Sequence, residues 1–162
     1  MDSEAVMARL TALEDVHAIG NLKSHYCYLL DVHRTDDAAA LFTEDGVFDG
    51  GETFGRHEGR AAVAAYFDNI QSNGLCFALH GVLSPFIEVR TPTTAFGRWY
   101  LDMPSTFRGA DGVDRAVWGA GWYEDDFAKG ADGVWRISRV RITNHFWTPF
   151  EEGWAKQPFL TP

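Results

Sequence analysis

The chain has 162 residues, a length typical of one domain that buries its core without disulfides or metals. Its formal net charge of -9 comes from 23 acidic and 14 basic residues, and no basic stripe offsets it, so nucleic acid is a poor partner. The 12 Phe, 6 Trp and 5 Tyr residues indicate a dense core or an apolar cavity. We therefore expect a single domain over residues 1–162.

The two cysteines, Cys27 and Cys76, show neither CxxC nor Cys/His ligand spacing, which is typical of buried thiols in a reducing compartment. The N-terminal sequence lacks a basic-then-apolar signal arrangement, and no run approaches the ~20 apolar residues of a membrane span. These observations predict a cytoplasmic protein without a membrane segment.

The first half of the chain predicts helices. Apolar residues recur at three- and four-residue steps from Val6 to Leu30, the pattern of one long amphipathic helix whose inward stripe ends beside Asp31. Three shorter elements follow in a more polar region with turn signals. They are a helix over residues 36–42, a strand at residues 47–48, and a helix over residues 60–70.

After Gly74, β-branched and aromatic residues come in runs separated by turn residues, which is typical of strands. Strands are expected over residues 75–89, 95–101, 116–127 and 134–146, and their short loops favour antiparallel pairs. Helices followed by strands predict an α+β fold in which helices cover one face of a curved sheet and enclose a cone-shaped cavity. The tail over residues 148–162 is expected to be irregular and to cover the cavity mouth.

Two residues could carry acid/base chemistry. His80 lies in an apolar strand pattern, and a carboxylate beside it would fix its tautomer and leave one ring nitrogen free as a general base. Asp31 is the candidate carboxylate, because it ends an inward-facing stripe. The alternatives are a core His80 bonded to a backbone carbonyl, and an Asp31 that caps the next helix or contacts Arg34.

Other side chains could complete a pocket. Tyr26, on the inner face of the first helix, could donate its phenol to a substrate oxygen or be a core tyrosine with its hydroxyl at the surface. His145, at the end of the last strand, is the second candidate base or substrate contact, or else a rim residue. The expected aromatic pocket walls are Trp99, Trp118, Trp122 and Phe146.

The sequence also lacks the common motifs of other chemistries. It has no HExxH or other metal-ligand pattern, no glycine-rich nucleotide loop and no GxSxG nucleophile motif. We therefore expect acid/base catalysis with no metal and no cofactor.

Several segments are similar to a known family. They are residues 22–31 (LKSHYCYLLD), the pair Leu79-His80, residues 97–101 (GRWYL), the hairpin over residues 123–137, and the ending NHFWTP at residues 144–149. Together they resemble the SnoaL-like branch of the NTF2-like superfamily, which includes bile acid 7α-dehydratase, lindane dehydrochlorinase and scytalone dehydratase. The resemblance implies the cystatin-like cone of that superfamily, and a homodimer or homotrimer formed through the outer face of the sheet.

The resemblance also implies roles for individual residues. Asp31 would orient His80, His80 would abstract a proton to start an elimination, and Tyr26 would contact the substrate. A functional Asp follows the GRWYL segment in the bile acid dehydratase, where this chain has Asp102 and then Met103. Direct alignment places Met103 there, so Asp102 would reach the pocket as a substrate contact only if a bulge shifted the strand, because it faces the other side of a regular one.

The expected function is a cofactor-independent lyase, of the dehydratase type, acting on an apolar ring-containing molecule such as a steroid, terpenoid or polyketide. A double-bond isomerase or cyclase with the same dyad is the second hypothesis. A non-catalytic binding or assembly domain, which would have a filled pocket, is the alternative from another class.

Overall fold

The computed structural model describes residues 2–160. The helices are α1 (Ser3–Asp31), α2 (Thr35–Ala40), α3 (Gly51–Phe54) and α4 (Arg60–Asn73). The strands are β1 (Phe42–Asp49), β2 (Arg56–Glu58), β3 (Leu75–Ala78), β4 (Gly81–Thr91), β5 (Thr94–Arg108), β6 (Asp114–Lys129) and β7 (Trp135–Pro149). Within this part of the chain, no helix has the length and apolar character needed to cross a membrane.

The described strands form one seven-stranded sheet in the order β2-β1-β7-β6-β5-β3, and β4 also pairs with β5. The pairs are antiparallel except β1 with β7, which run parallel. The helices pack on one face of this strongly curved sheet. The predicted α+β cone with a mostly antiparallel sheet is therefore confirmed.

Alternate residues of the long strands point to opposite faces of the sheet. On β5 and β6 the odd-numbered residues, such as Met103 and Tyr123, are buried against the helices. The even-numbered residues, such as Tyr100, lie on the outer face and are partly or fully exposed. This parity decides which candidate residues reach the interior.

Helix α1 lies across the inner face and buries a stripe that begins at Asp15. Asp15 Oδ1 accepts a hydrogen bond of 2.8 Å from Trp135 Nε1 and lies 2.5 Å from Lys129 Nζ. Because Lys129 and Trp135 flank the turn between β6 and β7, these contacts fix the middle of α1 to that hairpin.

Several boundaries differ from the sequence predictions, and the strand predicted over residues 95–101 continues to Arg108 as β5. The strand predicted over residues 75–89 is two strands, because the backbone N–H of His80 donates to the Asp31 carboxylate instead of joining a strand ladder. The helix predicted over residues 36–42 ends at Ala40, and Phe42 pairs with Ile137 as the first residue of β1. The Gly-rich stretch after β1 also contains α3 and β2, which its polar composition concealed.

The last described residues form turns that return to β7. The backbone N–H of Trp147 donates to Pro158 O at 2.9 Å, and that of Leu160 donates to Trp147 O at 2.8 Å. Thr148 and Pro149, expected in the irregular tail, belong to β7. Thr161 and Pro162, also part of the expected tail, lie outside the described residues.

Candidate active site

His80 and Asp31 form a tight contact between α1 and the sheet. Asp31 is the last residue of α1, and His80 lies in the two-residue break between β3 and β4. His80 Nδ1 is 2.5 Å from Asp31 Oδ1, and the backbone N–H of His80 donates to the same carboxylate at 3.2 and 3.1 Å. Their side chains are 7% and 16% exposed, respectively. One carboxylate thus holds both the ring and the backbone of His80.

This contact selects the tautomer of the neutral imidazole. An ionised carboxylate only accepts hydrogen bonds, so in the neutral ring Nδ1 carries the proton and Nε2 keeps a free lone pair. Among the described residues, no group forms a hydrogen bond with Nε2. An imidazole oriented in this way by a carboxylate has the arrangement of a general base.

Asp31 neither caps α2 nor contacts Arg34, the two alternative roles considered for it. The N-cap residue of α2 is Arg34, not Asp31, and no side-chain hydrogen bond caps this helix. The Arg34 guanidinium instead lies 2.7 Å from Asp37 on the surface. The Asp31 carboxylate is therefore committed to His80.

Tyr26 is fully buried on the inner face of α1. Its hydroxyl has no hydrogen-bond partner within residues 2–160. Burial raises the pKa of Tyr26 well above its usual value, and the neighbouring Cys27 and Asp125 raise it further. The phenol therefore stays protonated at neutral pH, as a donor.

A buried ion pair beside Tyr26 was not predicted from the sequence. Lys23 Nζ lies 2.8 Å from Asp125 Oδ2, and neither side chain has any exposed surface. The ammonium also lies 3.2 Å from the ring centroid of Tyr123, 4.9 Å from that of Tyr26 and 5.7 Å from that of Trp99. The carboxylate and the aromatic faces offset part of the cost of burying this cation.

The sequence does contain a signal for this pair. Lys23 falls on the buried stripe of α1, four residues after Ile19, and Asp125 shares the odd parity of Tyr123 and Phe127 on β6. Charged residues at inward positions require partners, so both could have been recognised from register. Burial raises the pKa of Asp125, although Lys23 lowers it in part.

Most of the residues predicted to line the pocket lie on the outer face of the sheet. Trp99 is inward and 3% exposed, but it packs in the core around Lys23. The other candidates lie on the outer face of the sheet, so their expected position in one pocket with the dyad is wrong. They are Asp102, Trp118, Trp122, His145 and Phe146.

Register explains the position of Asp102. The pairing of β5 with β6 runs without a bulge, so Met103 is buried on the inner face and Asp102 is exposed on the outer one. Asp102 Oδ1 accepts a 2.6 Å hydrogen bond from Trp118 Nε1 there. Asp102 therefore faces away from the interior, and it makes no contact with the dyad.

His145 lies outside the interior as well. It is an exposed residue at a register shift between β6 and β7, and its ring packs edge-on against Trp122 with 4.7 Å between centroids. Both rings line a small outer groove of about 390 Å³. Of the two candidate bases, only His80 has a carboxylate partner.

A cavity of about 1150 Å³ lies between the sheet and α3. Residues Gln157, Phe159 and Leu160 form part of its wall, so the tail does cover this space. Its apolar lining residues are Phe54, Ile70, Phe107, Val117 and Trp147.

The dyad does not line this cavity. Phe107 lines it, whereas the residue after His80 pairs with Asp102, and these two positions of β5 are five residues apart, about 17 Å at ~3.4 Å per residue. A closer connection runs through α4, where Gln71 Nε2 donates to Leu30 O at 2.6 Å, beside the dyad. The residue before Gln71 lines the cavity.

No metal centre accompanies these groups. Within residues 2–160, no set of three or more His, Cys, Asp or Glu side chains is arranged to hold a metal ion. What the arrangement can do chemically is accept a proton at His80 Nε2 and donate hydrogen bonds from buried phenols.

Comparison with known proteins identifies the family of this chain. Residues 11–141 match the model of the SnoaL-like domain. The protein belongs to the SnoaL-like domain family. The resemblance found in its sequence is therefore confirmed.

Solved structures share the fold over most of this chain. A protein from Novosphingobium aromaticivorans, provisionally assigned as a scytalone dehydratase, is 23% identical with a TM-score of 0.75, over 86% of this chain and 90% of its own. A hexachlorocyclohexane dehydrochlorinase from Novosphingobium barchaimii is 19% identical with a TM-score of 0.77, over 95% and 99%. A protein of unknown function from Mycobacterium tuberculosis is 28% identical with a TM-score of 0.65, over 83% and 78%.

Proposed function

We propose that the protein is a cofactor-independent lyase that eliminates a small leaving group from an apolar, ring-containing molecule. His80 Nε2 removes a proton from carbon, the C–H electron pair forms a double bond, and the leaving group departs with its own electron pair. Asp31 stabilises the imidazolium that forms, and the imidazolium then returns its proton to the leaving group or to solvent. The observation that carries the proposal is the 2.5 Å contact between His80 Nδ1 and Asp31 Oδ1.

The other parts of the site support the same chemistry. A positioned general base contributes ~10²–10⁴-fold, and a buried hydrogen-bond donor at a developing oxyanion adds ~10²–10³-fold. Tyr26 is the candidate donor. Two of the structures that share this fold are named for eliminations, a dehydration and a dehydrochlorination.

The cavity supports the proposed substrate class. Its volume of about 1150 Å³ and apolar lining suit a molecule with several rings, such as a steroid, terpenoid or aromatic polyketide. We propose that the substrate enters there and reaches His80 past α4. Return of the proton to another carbon of the same substrate would instead make the enzyme an isomerase or a cyclase.

A non-catalytic binding or assembly domain is the second candidate. It is favoured by the interior beside the dyad, where Lys23, Tyr26 and Tyr123 are fully buried and the large cavity is separate. A domain that only assembles with partners needs no open space at His80.

The deciding experiment is an elimination assay on a panel of β-hydroxyketones with one to four rings. We expect His80→Ala to lower kcat by about 10²–10⁴-fold for any substrate that turns over. His145→Ala is the matched control, since it removes a histidine from the outer groove, and it should leave kcat unchanged. Full activity in His80→Ala, or a loss confined to His145→Ala, would show that the proposed base is wrong.

A further inference from the structure

Trp147 connects the cavity with the part of the sheet that lies beside the dyad. It lines the cavity and is 3% exposed. Across the sheet, Trp147 pairs with Gly119 and Gly119 pairs with Met103. The residue before Met103 pairs with the residue after His80. Trp147 is therefore two strands from Met103, about 10 Å at ~4.8 Å per strand. The cavity wall thus comes closer to the dyad at Trp147 than at Phe107.

The indole of Trp147 lies over Gly119. A Cβ atom on Gly119 would lie 2.5 Å from Cε3 and from Cζ3 of the ring, so no larger residue fits there while the ring is in place. A glycine inside a long strand weakens it and often marks such a close approach. Since β6 lies between β7 and β5, the ring points from the cavity wall toward the dyad. It therefore occupies space that a substrate would have to cross.

Within residues 2–160, packing alone holds this ring. No group there accepts a hydrogen bond from its indole N–H. Its aromatic contact is an edge-on one with Phe54, 5.2 Å between centroids, and Phe54 ends α3, a four-residue helix with no buried residue. The backbone of Trp147, by contrast, is fixed by hydrogen bonds with Pro158 and Leu160. The side chain can thus rotate into the adjoining cavity without breaking a hydrogen bond.

We propose that Trp147 is a gate between the cavity and His80, and that it selects flat substrates. When the indole turns away, it leaves a slot whose floor has no side chain at Gly119 or at Gly121, the next inward position of β6. A planar ring system fits where the planar indole lay, whereas a cage-shaped one of the same size collides with the strand. The inference rests on the proposed function, and it narrows the substrate class from ring-containing molecules in general to planar polycycles.

The test measures access to His80 with two alkylating reagents. One is 2-naphthyl bromomethyl ketone, which is flat, and the other is 1-adamantyl bromomethyl ketone, a cage with the same number of ring carbons. In each reaction Nε2 forms a bond to the CH₂ carbon, and bromide leaves with its electron pair. The rate at His80 is measured by peptide mass spectrometry and divided by the rate with N-acetylhistidine. In the wild type this corrected rate should be about tenfold higher for the flat reagent.

Variants of the gate should remove this preference. Trp147→Ala should raise the corrected rate of the cage-shaped reagent about tenfold and that of the flat reagent much less, because the slot loses its shape. Trp147→Phe should lie between the wild type and Trp147→Ala. Trp135→Ala is the matched control, because it removes a buried indole from the same strand at a position outside the cavity wall. It should keep the wild-type ratio, which separates the gate from a general loosening of the fold.

Three outcomes would overturn the gate. They are an unchanged ratio in both Trp147 variants, an equal change in Trp135→Ala, or equal corrected rates of the two reagents in the wild type. The proposed function fails separately, when flat reagents are selected at His80 but no β-hydroxyketone of the panel is eliminated. A His80 that reacts with neither reagent, nor with the smaller bromoacetone, would refute both.

Discussion

At the scale of single residues, the Asp31 carboxylate has two tasks. It accepts the ring N–H of His80 and also the backbone N–H of the same residue. The second contact orients the residue before any substrate binds, because a backbone amide has none of the rotamer freedom of a side chain. A carboxylate that accepts from both groups leaves the imidazole little freedom to choose another tautomer.

Asp31→Asn is expected to disturb the tautomer more than the fold. An amide can present its NH₂ group to Nδ1, which would move the ring proton to Nε2 and remove the basic lone pair. We expect ¹⁵N NMR of the His80 ring to show protonated Nδ1 in the wild type at neutral pH, and a larger share of protonated Nε2 in the variant. An identical pair of ¹⁵N shifts in both proteins would contradict the proposed role of Asp31.

The two thiols should differ sharply in reactivity. Burial raises the pKa of Cys27 to about 11, from an ordinary value near 9. At pH 8 the thiolate fraction would therefore fall from about one tenth to about one thousandth, and the side chain is also inaccessible. Cys76 is only partly buried.

We expect a disulfide reagent at pH 8 to modify one thiol in the native protein and two after denaturation. Cys76→Ser should abolish the fast reaction, and Cys27→Ser should leave it intact. A fast reaction that survives in Cys76→Ser would show that the interior near the dyad opens often to solvent.

At the scale of elements, the site is assembled by register. The last turn of α1 supplies Asp31, the break between β3 and β4 supplies His80, and the inward parity of β6 supplies Tyr123 and Asp125. The periodicity of α1 and the strand patterns predicted most of these elements, because burial imposes a period near 3.6 or 2 on the sequence.

Long-range contacts are what the sequence patterns could not predict. The run over residues 75–89 was expected to form one strand although it contains Gly81, Ser84 and Pro85, and the break at His80 coincides with a contact to the distant Asp31 carboxylate. The face of the outer aromatic residues was mispredicted for a related reason. Tryptophan is usually buried, but the even positions of Trp118 and Trp122 on β6 place them on the outer face of the sheet. The type of a residue indicates only its hydrophobicity. The face of the sheet on which it lies follows from its odd or even position relative to a residue that is known to point inward.

The contribution of Asp15 to stability is a measure of how firmly α1 is attached to the β6–β7 hairpin. Burial alone would raise its pKa, but hydrogen bonds from Lys129 and Trp135 outweigh that effect and lower it. A carboxyl with a lowered pKa in the folded state stabilises the protein above its unfolded pKa of ~3.9, and this contribution disappears as the pH falls through the folded value.

We expect Asp15→Ala to lower the free energy of unfolding by about 2 kcal/mol at pH 7, because it removes hydrogen bonds to a charged group and to a buried indole. The difference from the wild type should shrink below pH 4 in urea titrations. Asp37→Ala, which breaks the exposed pair with Arg34, is the control and should cost about 0.5 kcal/mol or less. Equal effects of the two substitutions would refute the anchoring role.

At the scale of the whole molecule, the outer face of the sheet carries a patch of exposed apolar side chains. Phe86 and Tyr100 are 50% and 60% exposed, and Leu83 lies opposite Tyr100 on the adjoining strand. Clusters of large exposed apolar side chains are typical of association surfaces. We propose that this face forms a homodimer or homotrimer.

Phe86→Asp is expected to produce monomers, because a carboxylate buried at an apolar interface has no partner and adds to the net charge. Light scattering coupled to size exclusion measures the mass directly. Val113→Asp, at an equally exposed position in the β5–β6 loop, is the control and should keep the wild-type mass. A wild type that is monomeric at high micromolar concentration would remove the basis for this proposal.

The turn over residues 157–160 has a practical consequence for anyone who would alter the protein. Phe159 and Leu160 form part of the cavity wall, yet they are held to β7 largely by contacts at Trp147 and Thr148. A short surface segment thus shapes the chamber without belonging to the sheet that carries His80. Libraries of variants at residues 157–160 would change which molecules enter the cavity while the backbone around Asp31 and His80 stays fixed. Affinity tags are better placed at the N-terminus.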